Sequence, residues 1–376
     1  MLLKHRHSVR GVLLLCASTA IVVAAWTTAR TVGAPDQQAA NEFYDSHFHL
    51  TNYVQQGPDV HQFLQIMGTR VGRSTLFGIP LQQEWSYPNS GDFAPTYYLQ
   101  SDAPLYYYSF TDAYIASQFR SLSSEEQARF DPMITGFNPA DMYAVDHIRR
   151  VLKLFPGVFT GIGEFTIHKE FVSAKTAGGP ASLLDPALDR ILDFASEAGL
   201  VVLIHNDIDI PFAKPQEEPV YLSAMKALLR RHPNASIIWA HTGLGRVVHP
   251  SQTSAGTAQR TSRHMEIVEG MLTDPTLRHL NFDISWDEVA KYAIATPESI
   301  DRTVAVLNRF PDRFLFGTDN VAPAGPEPYF AVFDMWTPVW RRVTPETSLK
   351  VRKANFERIF DEGRRRVREW ERMHLK

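Results

Sequence analysis

Cysteine is almost absent from this chain of 376 residues, which contains a single one, Cys16. That residue lies within an apolar N-terminal stretch, so the rest of the chain has no thiol. Disulfide bonds, thiolate metal ligands and cysteine nucleophiles are therefore excluded from the main domain. A domain without thiols also suits an oxidising compartment.

Two other chemical signatures are missing from the sequence. No G-x-S-x-G segment is present, which disfavours a serine hydrolase. The glycines at 243 and 245 in HTGLGR lack the spacing of a dinucleotide-binding fingerprint, and we interpret them as part of a turn after His241.

The chain also has little excess charge of either sign. Its formal net charge is −3, and removal of residues 1–34, which contain four basic and no acidic residues, would change this to −7. A protein that binds nucleic acid in general should have a basic surface, so this function is disfavoured. Apolar residues make up 44% and charged residues 21% of the chain, which is typical of a folded globular domain.

The first 34 residues have the pattern of an export signal. Lys4, Arg6 and Arg10 form a positive region, the apolar run GVLLLCASTAIVVAAW follows at 11–26, and small residues continue to Ala34. We predict a signal peptide over 1–34 or, without cleavage, an N-terminal membrane anchor. This predicts a secreted or periplasmic protein that contacts a membrane only through an uncleaved segment. Residues 35–42 are predicted as a linker and 43–376 as a single domain.

From about residue 43 onward, short apolar runs alternate with amphipathic segments. The runs that lead to positions 164, 205, 241, 283 and 319 are spaced 36 to 42 residues apart, which is about the length of a strand, a helix and their two loops. Apolar residues at helical spacing predict helices over 183–198, 221–232 and 299–310. Two more strands are predicted at 74–79 and 133–137. The predicted fold class is α/β, a (β/α)8 TIM-like barrel.

An aromatic-rich insertion separates these last two predicted strands. Residues 93–114 contain two tyrosine clusters, at 97–98 and at 106–108, together with two prolines. We predict an elaborated loop and a helix packed over the barrel mouth. The aromatic side chains there either form walls of a substrate pocket or pack without contacting substrate.

Several of the apolar runs end in residues whose side chains can bind a metal. The C-terminal ends of the strands in a βα barrel all face one side, where the active site lies. Side chains alternate along a strand with period two, so the histidines of an H-x-H point the same way. The predicted metal ligands are His47, His49, Glu164, His205, His241 and Asp319.

This ligand set contains nitrogen and oxygen but no sulfur, which suits Zn, Mn, Fe or Ni, and we expect one or two zinc ions. A bound divalent ion lowers the pKa of its water to about 7, and Asp319 can contact both metal and water. Asp283, Ser285 and Trp286 end the preceding strand and open its loop. The first two are expected to hold the ring of His205 or His241, or to serve only in packing or a turn, and Trp286 is a candidate for the pocket wall.

Taken together, these motifs resemble the amidohydrolase superfamily, and in particular its "amidohydrolase 2" branch, over about residues 43–360. The matching segments are HFH at 47–49, GIGE ending at Glu164, LIH ending at His205, AHTG beginning at His241, FGTD ending at Asp319 and NFERIF at 355–360.

The resemblance implies that His47, His49 and Asp319 bind a buried ion. It implies that His205 and His241 bind a second ion, or that one of them binds the first ion while the other polarises the substrate. Asp319 would take the proton from the attacking water, so Asp319 and His241 are the predicted catalytic residues.

Glu164 departs from one common pattern of the superfamily, in which a carboxylated lysine bridges two ions. Glutamate at this position resembles the TatD-like members. Glu164 would then either bind metal or hold a ligating histidine through a hydrogen bond. Lys169 is predicted to lie too far along the loop to serve as the bridge.

The function that these features indicate is an exported metal-dependent hydrolase of a small-molecule ester, lactone, amide or phosphoester. A metal-dependent decarboxylase of an aromatic acid, using the same histidines and aspartate, is the first alternative. A barrel that binds a ligand without catalysis is the second. Oligomeric state is left open.

Overall fold

The computed structural model describes residues 41–83, 104–170, 172–210, 218–245 and 254–375, without the side chains of 254–263. The chain divides into two units, Met1–Ala39 and Ala40–Lys376, and every described residue belongs to the second. The predicted signal peptide or anchor and the tyrosines at 97–98 lie outside the described residues. Within the described ranges, none of the helices combines the length and the apolar character that a membrane crossing requires.

Short parallel strands alternate with helices along the described chain. The strands are β1 (Phe43–Asp45), β2 (Phe48–His49), β3 (Val71–Leu76), β4 (Leu81–Gln83), β5 (Leu105–Tyr107), β6 (Phe130–Ile134), β7 (Gly161–Thr166), β8 (Val201–His205), β9 (Ser236–Trp239), β10 (Leu280–Asp283), β11 (Phe314–Leu315) and β12 (Asn320–Val321). Eight of them form the main sheet in the order β1-β3-β6-β7-β8-β9-β10-β11. All the pairings in this sheet are parallel, and sheet order follows chain order, as in a βα barrel.

The two edges of this sheet are linked through the segments that follow them. The amide of Ser46 donates to the carbonyl of Phe316 (3.1 Å), and the amide of Asp319 donates to the carbonyl of His47 (2.8 Å). Further along, β2 pairs in parallel with β12. The segment carrying the H-x-H therefore lies directly beside the segment carrying Asp319, although about 270 residues separate them in the chain.

The helices pack on the outside of the sheet or continue from the strand ends. They are α1 (Val60–Met67), α2 (Phe110–Arg120), α3 (Ser124–Gln127), α4 (Ala144–Leu154), α5 (Val172–Lys175), α6 (Pro186–Ala198), α7 (Leu222–Arg231), α8 (Ser254–Thr273), α9 (Asp287–Ala293), α10 (Pro297–Arg309), α11 (Pro326–Met335), α12 (Thr337–Trp340), α13 (Pro345–Leu349) and α14 (Asn355–His374). The three helices predicted from apolar spacing correspond to α6, α7 and α10. Gly199 ends α6 in the left-handed conformation (φ 77°), as its position after the last apolar residue predicts.

Alternation along the strands divides the core into two layers. Val201 and Leu203 of β8 belong to a cluster inside the barrel, whereas Val202 and Ile204 belong to the large cluster between sheet and helices. The inner cluster also includes Phe356 and Phe360 of α14. The NFERIF segment thus fills the barrel interior with aromatic side chains.

Three strands differ in their boundaries from the prediction. The strands predicted at 74–79 and 133–137 each begin and end three residues earlier, as β3 and β6, and β7 begins at Gly161 and continues past Glu164 to Thr166. The apolar residues Phe77 and Phe137 lie beyond their strands yet are buried. Apolar runs therefore mark buried backbone, and the strand ends depend on the pairing with neighbouring strands.

The expectation that both histidines of the H-x-H lie on one strand is wrong. The first strand ends at Asp45, His47 lies in the break, and His49 belongs to β2. The break has a local cause, because the carboxylate of Asp45 accepts a hydrogen bond from the amide of His47 (3.1 Å). Both histidines are buried nonetheless.

The aromatic-rich insertion contains regular structure. Strands β4 and β5 pair in an antiparallel ladder that places Leu81 opposite Tyr107, and α2 follows. Leu81 and Leu105 pack in a small separate core with Ile79 and Val172. The described part of the insertion thus contains the predicted helix, preceded by a two-stranded ladder that was not predicted, and the position of this helix over the barrel mouth stays a prediction.

Candidate metal centre

The six predicted ligands converge at the C-terminal ends of the strands. Their ligand atoms form three overlapping groups of three, and within each group these atoms lie no more than 4.8 Å apart. The groups are His47–His49–Glu164, His47–His241–Asp319 and Glu164–His205–His241. The side chains of all six are at least nine-tenths buried.

Three of these residues are spaced as ligands of one ion. The Nε2 atoms of His47 and His49 lie 3.2 Å apart, and Asp319 Oδ1 lies 3.3 Å from the first and 3.1 Å from the second. Tetrahedral zinc with bonds of about 2.0–2.1 Å separates its ligand atoms by about 3.3–3.4 Å. The donor set therefore fits one small divalent ion.

Glu164 lies between this trio and the remaining histidines. Its Oε1 is 2.5 Å from His205 Nδ1 and 3.5 Å from His241 Nε2, and its Oε2 is 3.6 Å from His49 Nε2. Only glycine can precede it, because Gly163 has φ +115° and an added Cβ would lie 2.1 Å from the Leu203 carbonyl oxygen. The carboxylate is placed to contact a metal on either side, and its role stays a prediction.

Hydrogen bonds orient two of the imidazole rings through Asp283 and Ser285. His47 Nδ1 donates to Asp283 Oδ2 (2.9 Å), and Ser285 Oγ donates to Asp283 Oδ1 (2.5 Å). Ser285 Oγ can then accept from His241 Nδ1 (2.9 Å). When each ring carries a single proton, these bonds hold that proton on Nδ1 and leave Nε2 unprotonated, which is the form that binds metal.

Asp283 was expected to hold the ring of His205 or His241, or to serve in packing or a turn, and the ring to which it is hydrogen-bonded is instead that of His47. Its carboxylate holds the ring of His47 and accepts from the backbone amide of His241 (2.7 Å). The ring of His205 is held instead by Asp207, whose Oδ1 accepts from Nε2 (3.0 Å). Ser285 contacts the ring of His241, as expected.

Three residues with roles at this centre were missed or misjudged from the sequence. Asp45 accepts from the amides of His47 and Thr318, and Asp207 holds His205. Lys169, predicted to lie too far along the loop, reaches within 3.6 Å of Glu164 Oε2. The spacing D-x-H-x-H and H-x-D offered a signal for the two aspartates, since an acid two residues from a ligand lies on the same side.

One buried nitrogen atom supports the interpretation of a cation site. His241 Nε2 is buried and has no hydrogen-bond partner. A buried polar atom without a partner is costly, and one that faces carboxylates and other imidazoles fits a metal ligand. His241 Nε2, 3.8 Å from Asp319 Oδ2, has this position.

The electrostatic environment of the cluster is strongly negative. Burial alone lowers the pKa of His47, but the carboxylates of Asp319 and Asp283 outweigh this effect and raise it to about 9. Burial opposes ionisation of Glu164, yet Lys169 and His205 hold the pKa of this carboxyl well below its usual range. Burial likewise opposes ionisation of Asp319, and His47 overcomes it, so the pKa of Asp319 is lowered. Ionised carboxylates in a buried site favour a bound cation.

Aromatic rings form the walls next to the ligands. The ring of Trp286 lies 5.1 Å from that of His241, and Phe77 lies 4.7 Å from the ring of His49. Trp286 is 9% exposed, so its ring is enclosed by the protein beside His241. Its place in a pocket wall stays a prediction. His168, by contrast, stacks on Tyr221.

Comparison with known proteins identifies the family. The family model described as amidohydrolase matches residues 44–361, which is more than half of the chain. The chain therefore belongs to the amidohydrolase family. A comparison with curated proteins yields no match.

Solved structures of similar fold include members of the same superfamily. An amidohydrolase from Burkholderia multivorans with bound zinc has a TM-score of 0.50 and 12% identity, over 85% of this chain and 99% of that one. A TIM-barrel protein from Bordetella bronchiseptica has a TM-score of 0.48 and 13% identity, over 85% and 99%. Dihydroorotase from Campylobacter jejuni has a TM-score of 0.46 and 12% identity, over 86% and 84%. At such identities the likeness concerns the fold alone.

Proposed function

We propose that this chain is a metal-dependent hydrolase that directs water to an ester, lactone, amide or phosphoester bond of a small molecule. The observation that carries the proposal is the trio His47, His49 and Asp319, whose three ligand atoms lie 3.1 to 3.3 Å from one another. Membership of the amidohydrolase family supports it. Zinc is the ion we propose, because the donors are imidazole and carboxylate without sulfur.

When bound, a divalent ion makes water acidic enough to supply hydroxide near neutral pH. His47, His49 and Asp319 would hold it, and Glu164, His205 and His241 complete the surrounding set of donors. Asp283 and Ser285 keep the rings of His47 and His241 in the form that leaves Nε2 unprotonated.

Asp319 is the proposed acceptor of the proton from the attacking water. Its Oδ1 lies with the ligands, and its Oδ2 lies 3.8 Å from His241 Nε2, so one carboxylate can contact both the ion position and the reacting water. His241 is the proposed group that polarises the substrate, and its Nε2, which has no hydrogen-bond partner and faces the cluster, supports this role. Trp286, beside this ring, would exclude solvent and contact the substrate.

Metal removal tests the proposal. We expect chelation to abolish turnover on a panel of esters, lactones, amides and phosphodiesters, and added Zn²⁺ to restore it, because the ion supplies the activated water. Product analysis measures the reaction type. Release of CO2 from aromatic acids would favour the decarboxylase, and substrate binding without turnover would favour the non-catalytic barrel. Full hydrolysis by metal-stripped protein would contradict the proposed function.

We further propose export directed by residues 1–34, on the basis of the positive, apolar and small-residue order of that segment. N-terminal sequencing of the protein from the secreted or periplasmic fraction should find a start near residue 35. Retention of Met1 in a membrane fraction would instead indicate the anchor. Retention of Met1 in protein that is not exported would contradict both forms of this proposal.

A further inference from the structure

Lys169 is a largely buried cation next to the metal centre that the proposed mechanism does not use. We propose that its ammonium group serves as the second cation at Glu164, so that the chain holds one resident ion, at His47, His49 and Asp319. The inference rests on the proposed function and adds the number of ions and the residue that determines it.

The contact between Lys169 and Glu164 is part of the cluster. Nζ lies 3.6 Å from Glu164 Oε2, and the lysine side chain is only 13% exposed. The same oxygen lies 3.6 Å from His49 Nε2, and the other, Oε1, lies 2.5 Å from His205 Nδ1. The negative charge of Glu164 is thus offset by the lysine at one carboxylate oxygen and by a histidine at the other. A buried ammonium group persists where a carboxylate offsets its loss of water.

The backbone around Lys169 is held in place by hydrogen bonds. Its amide donates to Ser173 Oγ (2.9 Å), and Ser173 Oγ donates to the carbonyl of Ile167 (3.1 Å). On the next residue, the amide of Glu170 donates to Asp207 Oδ2 (2.7 Å). Asp207 also holds the ring of His205, so one carboxylate connects the loop that carries Lys169 with the ring of His205.

A second divalent ion would need the carboxylate of Glu164, whose negative charge this lysine already offsets. Glu164, His205 and His241 form a group of three possible ligands that shares no residue with the trio of the first ion. An ion on the Glu164 carboxylate would share that group with an ammonium, and like charges a few ångströms apart repel strongly where water is excluded. The low pKa of Glu164, to which Lys169 contributes, agrees with a carboxylate that is already compensated.

Zinc titration of the full chain tests the inference without an activity assay. Metal-free protein is dialysed against buffered Zn²⁺, and bound metal is measured by plasma mass spectrometry. We expect one tightly bound equivalent in the wild type. Lys169→Met should take up a second equivalent at a free Zn²⁺ concentration at least about tenfold lower than the wild type requires, because the repulsion is removed. Lys169→Arg, which keeps the charge, should retain the wild-type stoichiometry.

Lys226→Met is the matched control, since Lys226 makes a similar ion pair, 3.9 Å from Glu218, on an outer helix. It should bind zinc as the wild type does. Thermal unfolding checks that each variant is folded. If Lys169→Met is unfolded, the zinc stoichiometry of Lys169→Arg is used to test the inference. Two tight equivalents in the wild type would overturn the inference and leave the proposed function intact. Unchanged stoichiometry in folded Lys169→Met, or a second tight equivalent in folded Lys169→Arg, would also overturn it. No bound zinc in the wild type would overturn both.

Discussion

Asp319→Asn is expected to lower kcat by about 10³-fold or more and to remove the bound metal, while the protein stays folded. The amide is neutral, so it binds a cation weakly and cannot take a proton from water. Its Oδ1 lies within 3.3 Å of the Nε2 atoms of both His47 and His49, so the change removes one of three closely spaced donors. The measurements are kcat on a substrate found in the panel, metal content, and the thermal unfolding temperature.

Two further variants make this result specific. His49→Ala should cause the same loss of metal and turnover, since it removes another donor of the same trio. Asp193→Asn is the control, because Asp193 is 75% exposed and pairs with His232, away from the cluster. This variant should leave both metal content and turnover unchanged. Full activity of Asp319→Asn after metal removal would refute the assignment of Asp319.

Asp45→Asn should lower the free energy of unfolding by about 3 kcal/mol. The fully buried carboxylate accepts hydrogen bonds from the amides of His47 (3.1 Å) and Thr318 (2.8 Å), the hydroxyl of Thr318 (2.7 Å) and the hydroxyl of Tyr329 (2.8 Å). An amide has an NH2 group where one acceptor oxygen stood, so at least two buried donors lose their acceptor. Chemical denaturation of the metal-free protein measures the difference.

Metal affinity should fall in the same variant. Asp45 joins the backbone before His47 to the backbone before Asp319, so its loss loosens two of the three closely spaced ligands. Tyr329→Phe is the comparison, because it removes one donor and should cost only about 1 kcal/mol. A decrease of less than about 1 kcal/mol in the free energy of unfolding of Asp45→Asn would show that this carboxylate does not stabilise the break between β1 and β2.

The barrel and the order of its site residues were predictable because both depend on short segments of sequence. A run such as VVLIH at 201–205 indicates a buried strand and, at its end, a histidine at the mouth. Repetition of that unit at intervals of 36 to 42 residues indicates one closed sheet. Strand bounds were less predictable, because Phe77 is buried outside a strand and burial alone does not distinguish a strand from a buried loop.

The residues that hold the metal ligands through hydrogen bonds were harder to predict, because these bonds join residues far apart in the chain. Asp283 holds His47 across 236 positions, and Asp45 binds Thr318 across 273. Which imidazole an acid reaches depends on the register of the strands and on side-chain direction, which no local pattern specifies. Lys169 was misjudged for a related reason, since strand β7 continues to Thr166 and leaves the lysine only three residues beyond its end.

The amino-acid sequence by itself determined that this chain has no thiol chemistry outside its N-terminal stretch, that it alternates strands and helices, and that six possible ligands lie at or near strand ends. These are properties of composition and of spacing along the chain. The tertiary structure alone decided that the carboxylate of Asp283 holds the ring of His47 and that the carboxylate of Asp45 binds Thr318. Both contacts depend on closure of the sheet, which brings residues 236 and 273 positions apart within hydrogen-bond distance, where burial makes their pairing obligatory.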